Sequence, residues 1–136
     1  MDYRQLAKSA ISARDAAYAP YSNFAVGAAL LTKCGKVYSG CNIENAGYSP
    51  CNCGERTAIF KAVSEGERDF AAIAVAGWLR GGVPGMAYPC GVCRQVMMEF
   101  MDPETFEIVV CTSENDYTVH KLKELLPHGF GPENLA

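Results

Sequence analysis

The sequence Asn52-Cys53-Gly54-Glu55-Arg56-Thr57-Ala58-Ile59-Phe60-Lys61-Ala62-Val63-Ser64-Glu65-Gly66, followed by Phe70-Ala71-Ala72-Ile73-Ala74-Val75-Ala76-Gly77, sets the architecture. Ala58, Ile59, Ala62 and Val63 recur at helical spacing and give residues 53–64 an apolar face. Asn52 is placed to cap that helix, Glu55 stands three residues on as in a capping box, and Gly66 stops it. Residues 70–77 carry little polar character and read as a strand. A helix feeding an apolar strand is the recurring step of an α/β fold.

On the C-terminal side, Pro89 leads into a helix over residues 90–100 that stops near Asp102-Pro103. Residues 106–111 read as a strand, residues 117–119 as a short further one, and residues 121–126 as a short helix before the tail. On the N-terminal side, Asp2 is placed to cap a first helix with Leu6, Ala10, Ile11, Ala13 and Ala17 on one side, ended by Pro20. After a Pro- and aromatic-rich connection, residues 25–31 form an apolar strand. The turn Thr32-Lys33-Cys34-Gly35 returns the chain through residues 36–41 as a hairpin. Residues 42–52 and 78–88 are loops. The order α-β-β-α-β-α-β-β-α predicts one α/β domain over residues 1–136, with a single sheet and helices on both faces.

Composition narrows the function. With 49% hydrophobic and 20% charged residues the 136-residue chain has the balance of a soluble globular domain, which excludes a disordered chain, a collagen or a coiled coil. Lys plus Arg is 12 against 15 for Asp plus Glu, a net charge of −3, so no nucleic-acid partner is expected. No apolar run approaches the ~20 residues that span a bilayer. Met1-Asp2-Tyr3-Arg4 lacks the apolar core of a secretory signal. The expectation is a cytoplasmic protein with no membrane partner.

The 7 cysteines carry the chemistry. An odd number without a secretory signal argues against a disulfide scaffold. Cys53 opens one predicted helix, while Cys90 and Cys93 open another as Pro89-Cys90-Gly91-Val92-Cys93. Helix N-termini favour the thiolate, the metal-binding form of cysteine. Three protein ligands with a fourth position open describe a catalytic zinc site. Glu55, two residues past Cys53, lies beside such a metal without necessarily touching it. Zinc pulls the pKa of a bound water toward ~7, and a nearby carboxylate can take its proton. Zinc with three thiolates carries net negative charge, which a cation donating to the sulfurs would relieve. Arg56 is the first candidate for that cation and Arg94 the second.

Other readings of the same residues are a closed structural zinc site with Cys51, Cys41 or Cys111 as fourth thiolate, and a redox dithiol at Cys90 and Cys93. Neither gives Glu55 a role. Cys34, Cys41 and Cys111 fit small core residues, and the sequence leaves Cys51 undecided. His120 and His128 are far from both helix starts in sequence and fit surface or tail positions.

Cys53-Gly54-Glu55 with Pro89-Cys90-Gly91-Val92-Cys93 matches the three-cysteine form of the zinc nucleobase-deaminase signature. Together with Ala19-Pro20-Tyr21-Ser22-Asn23-Phe24, Val26-Gly27-Ala28-Ala29-Leu30-Leu31, Gly40-Cys41-Asn42-Ile43-Glu44-Asn45-Ala46 and Leu125-Leu126-Pro127 through Phe130, the chain resembles the cytidine deaminase family in its short, homotetrameric form. The resemblance covers nearly the whole chain and is weakest over residues 78–88. It implies a three-layer α/β/α sandwich around a mixed five-stranded sheet, with one Zn²⁺ per subunit held by Cys53, Cys90 and Cys93. The implied reaction converts cytidine and deoxycytidine to uridine and deoxyuridine plus ammonia, with Glu55 as base and then acid. The resemblance further implies that Asn42 and Glu44 bind the ribose hydroxyls of a free nucleoside and that Phe24 packs on it. The Gly54 backbone N–H then serves the pyrimidine oxygen, Phe130 reaches a neighbouring subunit's site, and Tyr21 and Tyr48 lie near subunit contacts. Without the resemblance, Asn42 to Glu44 reads as a polar turn and Phe130 as a docked tail residue. Gly54 stands where the family usually has alanine, Cys34 sits in a turn that often reads Asp-Gly, and Tyr88 replaces a small hydroxyl residue. With Gly47, Pro50 and the loop over residues 78–88, these departures bear on substrate preference, and another aminopyrimidine or a nucleoside-like antibiotic is the alternative substrate.

Overall fold

The computed structural model describes residues 2–136. Its elements are α1 (Arg4–Ala13), β1 (Phe24–Thr32), β2 (Val37–Cys41), α2 (Gly54–Ser64), β3 (Phe70–Leu79), α3 (Gly91–Phe100), β4 (Glu107–Ser113), β5 (Asp116–Lys121) and α4 (Leu122–Leu125). The strands form one five-stranded sheet in the order β2-β1-β3-β4-β5. β1 runs antiparallel to β2 and to β3, β3 runs parallel to β4, and β4 antiparallel to β5. The parallel pair is joined by α3, the crossover that parallel strands require.

Side-chain alternation divides the sheet between two cores. Ala28 and Leu30 of β1, Ile73 and Val75 of β3, and Ile108 and Val110 of β4 pack against Ala58, Ile59 and Ala62 of α2, Cys93 and Met97 of α3, and Leu122 of α4. The intervening positions Ala29, Ala72, Ala74, Ala76, Val109 and Cys111 face Leu6, Ala7 and Ala10 of α1. The result is the expected three-layer α/β/α sandwich with a mixed sheet. No helix among the described residues is long and apolar enough to cross a membrane.

The structure shifts several sequence-based boundaries. The N-cap is Tyr3 rather than the expected Asp2, since the Tyr3 carbonyl accepts the first helical N–H, from Ala7, at 2.8 Å; the Asp2 carboxylate lies one residue earlier and accepts the Arg4 N–H at 2.9 Å. α1 ends at Ala13, followed by a 3-10 turn (Arg14–Ala16), rather than continuing to Pro20. There the Arg14 guanidinium donates to the carbonyls of Ala25 and Trp78, each at 2.9 Å, and lies 3.8 Å from the Trp78 ring centroid. β3 extends past Gly77 because Trp78 and Leu79 pair with Ala25 and Phe24. β5 is longer than residues 117–119 because it pairs with β4 from Lys121 to Asp116. Gly35 takes the positive φ of 97° that its turn needs. Cys34, expected as a small core residue, is instead exposed in that turn beside the Thr32 hydroxyl.

Two contacts generate tests. α2 lies so close to β2 that a Cβ on Gly40 would sit 2.4 Å from the Ala58 backbone nitrogen and 2.7 Å from the Gly54 carbonyl oxygen. Both are backbone atoms, so Gly40→Ala must move the helix, at a cost of about 1–3 kcal/mol. Thermal unfolding should show a midpoint lower by several degrees. Separately, the Tyr3 hydroxyl donates to the Glu107 carboxylate, whose other oxygen takes the Lys121 ammonium at 3.2 Å. The Tyr3 hydrogen bond first, and Lys121 second, hold the Glu107 carboxyl below its ordinary value. That contribution is full above the ordinary carboxylate pKa of about 4.3 and is lost as pH falls through the lower folded value. Tyr3→Phe should therefore cost on the order of 1 kcal/mol near neutral pH. The difference from wild type should shrink below about pH 4 in unfolding curves taken across pH.

Candidate active site

α2 and α3 begin at the same edge of the sheet, and each N-cap is a cysteine. Cys53 caps α2, and Cys90 caps α3 with its sulfur accepting the Cys93 N–H at 3.5 Å. The sulfurs of Cys53, Cys90 and Cys93 all lie within 4.8 Å of one another, and those of Cys53 and Cys90 are 3.7 Å apart. Sulfurs bound tetrahedrally to zinc at ~2.3 Å stand roughly 3.8 Å apart, so the spacing suits that ion. Among the described residues no other cysteine, histidine or carboxylate joins this cluster. That speaks against a closed four-thiolate site.

The charges around the sulfurs suit a metal as well. Hydrogen bonds from Cys93 first, then from Arg56 and Cys90, favour the Cys53 thiolate. Among the protein's own groups, the nearby Cys53 sulfur first, and burial second, push the Cys93 thiol above its ordinary value. Arg56 places Nη2 3.2 Å from the Cys53 sulfur, and its buried Nε has no partner within the protein. A guanidinium committed to sulfur is the charge compensation that three thiolates on one ion need. Arg94, the second candidate, instead donates to the carbonyls of Pro89 and Leu125.

Glu55 is 4% exposed. It does not close a capping box. Asn52 gives its side-chain amide to the Thr57 hydroxyl at 3.1 Å and pairs its backbone with Ile43, and Cys53 takes the capping position. Glu55 instead lines a cavity of about 280 Å³ together with Phe24, Asn42, Glu44, Cys53 and Cys90. Burial pushes its carboxyl up to about 7, with the neighbouring Cys53 adding to the shift and Arg56 opposing it. The site thus pairs a sulfur cluster spaced to hold a metal with a carboxyl able to hold or release a proton near neutral pH.

The remaining predicted residues fall into two groups. Asn42 and Glu44 line the cavity, but neither makes the local Asx-type bond of a polar turn. The Asn42 side chain accepts the Val26 N–H at 2.9 Å and donates to the Phe24 carbonyl at 2.8 Å. Glu44 accepts the backbone N–H groups of Tyr21 and Ser22 at 3.0 and 3.1 Å, and also takes the Ser22 hydroxyl. These bonds hold its carboxyl below its ordinary value, the Ser22 hydroxyl most of all. Gly54 opens α2 against Val26, where an added Cβ would lie 3.2 Å from the Val26 carbonyl oxygen. Outside the cavity, Phe130 is exposed, with its carbonyl held by Gln95 at 2.8 Å, and Tyr21 and Tyr48 are exposed and meet edge to face. His120 packs edge-on against Tyr88. Tyr88, singled out in the sequence as bearing on substrate preference, lines the cavity, whereas sequence reasoning missed Ala87, Val26 and Cys51 as lining residues and Ser22 as the partner of Glu44. Cys51 accepts the Asn45 N–H at 3.2 Å and stays outside the sulfur cluster. Only Ser22 carried a signal, its place two residues before Phe24 in the aromatic-rich connection.

Three sulfurs at two helix starts, a guanidinium on them and one buried carboxyl make a site able to hold a metal ion beside a proton-carrying group, the arrangement of a three-thiolate metal hydrolase. Residues 1–110 match the family model described as the cytidine and deoxycytidylate deaminase zinc-binding region. The cytidine deaminase of Halalkalibacterium halodurans is 50% identical over 135 residues, 99% of this chain and 98% of that protein. The crystal structure of cytidine deaminase from Burkholderia pseudomallei is similar with a TM-score of 0.86 at 51% identity, covering 96% of this chain and 100% of that one. That of cytidine deaminase from Mycobacterium tuberculosis gives 0.81 at 36% identity, covering 96% and 98%. The chain belongs to the cytidine and deoxycytidylate deaminase family.

Arg56→Gln should keep the fold but weaken zinc retention by about 10–100-fold, the usual effect of losing a group that supports metal ligands. Competition with a chromogenic chelator measures this directly. Unchanged zinc affinity would show that the guanidinium does not support the sulfur cluster.

Proposed function

We propose that the chain hydrolytically deaminates cytidine and deoxycytidine to uridine and deoxyuridine, releasing ammonia, as a step of pyrimidine salvage. The observation that carries this reading is the buried Glu55 carboxyl in one cavity with Cys53 and Cys90 of the sulfur cluster. Cys53, Cys90 and Cys93 would hold one zinc ion per subunit, with Arg56 balancing the thiolate charge. Bound there, zinc supplies the Lewis acidity that makes water a nucleophile near neutral pH.

Glu55 moves the protons. Its carboxylate accepts one from the attacking water and gives it to N3 of the cytosine. It then takes the proton of the new C4 hydroxyl and delivers it to the exocyclic amine, so that ammonia leaves with the C4–N bond broken and a carbonyl oxygen remains on C4. Burial keeps bulk solvent from competing for those protons. The Gly54 backbone N–H donates to the pyrimidine O2. Phe24 packs on the nucleoside, and Asn42 and Glu44 bind the ribose hydroxyls.

Phe130 is exposed and apart from this chain's own cavity, which supports a homotetramer in which it stacks on the pyrimidine in a neighbour's site. Exposed Tyr21 and Tyr48 would then lie near the subunit contacts. Residues 1–136 act as one domain on a free nucleoside in the cytoplasm, without a nucleic-acid or membrane partner.

The test follows the ultraviolet absorbance of cytidine with wild type and Glu55→Gln. The variant should keep its zinc and lose at least about 100-fold in kcat, the scale of lost general acid–base catalysis. Comparable turnover by the two would sink the role of Glu55. Free cytosine turned over as fast as cytidine would move the reading to a sugar-free aminopyrimidine.

A further inference from the structure

Glu44 and Glu55 are the carboxylates that line the cavity. Glu55 is buried, whereas Glu44 is held in place by bonds. A carboxylate offers about four acceptor positions. On Glu44 three are taken: by the Tyr21 N–H at 3.0 Å, the Ser22 N–H at 3.1 Å and the Ser22 hydroxyl. About one direction remains for a ligand hydroxyl, and its bearing depends on the bond from Ser22.

The Ser22 oxygen works in two directions. It donates its proton to Glu44 and accepts the Phe24 N–H at 3.0 Å. The Phe24 carbonyl in turn accepts from the Asn42 amide at 2.8 Å. Ser22, Phe24, Asn42 and Glu44 are therefore one bonded chain along the cavity wall. The segment is fixed on either side of Ser22. Asn23, in the left-handed region at φ 58°, donates its N–H to the Ala19 carbonyl and accepts the Arg80 N–H, each at 2.9 Å. The strip holding Asn42 and Glu44 is pinned by the Tyr18–Ile43 and Ile43–Asn52 bridges. In this frame the Ser22 hydroxyl is the link that joins the Glu44 side chain to the position of Phe24.

We propose that Ser22 is a positioning residue for nucleoside selectivity, aiming the one free acceptor of Glu44 at a sugar hydroxyl while it fixes Phe24, without itself needing to touch the substrate. The proposal rests on the reading of Glu44 as a sugar ligand. Ser22 is exposed and adds nothing to either core, so its removal should change recognition with little change in stability.

The experiment compares wild type, Ser22→Ala, Ser22→Thr and Glu44→Gln on cytidine and on 2′,3′-dideoxycytidine, which lacks the 2′ and 3′ hydroxyls and keeps the 5′ hydroxyl. Ser22→Ala should raise KM for cytidine by about 10-fold or more, the effect of losing one hydrogen bond to a charged group. Its kcat and thermal midpoint should be nearly unchanged, and KM for the dideoxy substrate should move less than about twofold, since that substrate has neither the 2′ nor the 3′ hydroxyl to misplace. Ser22→Thr, which keeps the hydroxyl, should restore most of the affinity. Equal KM changes on both substrates, a loss confined to kcat, or no change at all would each overturn the proposal. Glu44→Gln separates the two readings. If it also leaves KM for cytidine unchanged, the sugar-ligand reading fails. If it raises KM and Ser22→Ala does not, only the role of Ser22 fails.

Discussion

The approach of Cys53 to Cys90, 3.7 Å between sulfurs from helices 37 residues apart in sequence, is the constraint that the rest of the molecule serves. It requires α2 and α3 to begin at one edge of the sheet, although one follows the hairpin and the other follows β3. It also gathers two helix N-termini, whose unpaired N–H groups favour anions. Anionic sulfurs in numbers need a counter-charge, and Arg56 on α2 supplies it from within one turn of Cys53. The packing of Gly40 on the start of α2 is the mechanical side of the same demand, since any retreat of that helix carries Cys53 and Glu55 with it.

The first turn of α2 gives up local stability for this arrangement. Asn52 and Glu55 have the spacing of a capping box, yet Asn52 bonds to Thr57 and Glu55 turns inward. A carboxylate that capped the helix would sit in solvent, ionised and of no use for moving protons. Buried, its carboxyl rises to about 7. α3 makes a comparable substitution, with a cysteine sulfur rather than a hydroxyl or carboxylate accepting the N–H of Cys93. The usual capping chemistry has been displaced at both helix starts by groups suited to a metal centre.

Much of this was legible in the sequence because the deciding signals are local. The helical spacing of Ala58, Ile59 and Ala62, the apolar run of β3, the turn at Gly35 and the cysteines at two helix starts all act over a few residues. What stayed hidden depends on partners far along the chain. The extension of β3 to Leu79 needs β1 beside it, and the early end of α1 follows contacts from Arg14 to Ala25 and Trp78. Asn52 looked like a cap because nothing in sequence announces that Thr57 and Ile43 compete for it. The bond from Ser22 to Glu44 joins two loops 22 residues apart, each of which reads only as polar. The family resemblance pointed to Asn42 and Glu44 but carried no sign of the bonds that already occupy them.

The two faces of the sheet are built to opposite specifications. Under α1 the strands present Ala29, Ala72, Ala74 and Ala76, while on the other side Leu30, Ile73, Val75, Ile108 and Val110 meet α2, α3 and α4. Sequence drift in this fold is therefore tolerated in opposite senses on either side. Beneath α1 the buried alanines let the helix lie close on the sheet, and enlargement is the damaging change. Beneath the site-bearing helices the damaging change is truncation, which leaves a void under α2 and α3. A lineage is free to remodel the rim of the cavity only while both layers keep their own rule.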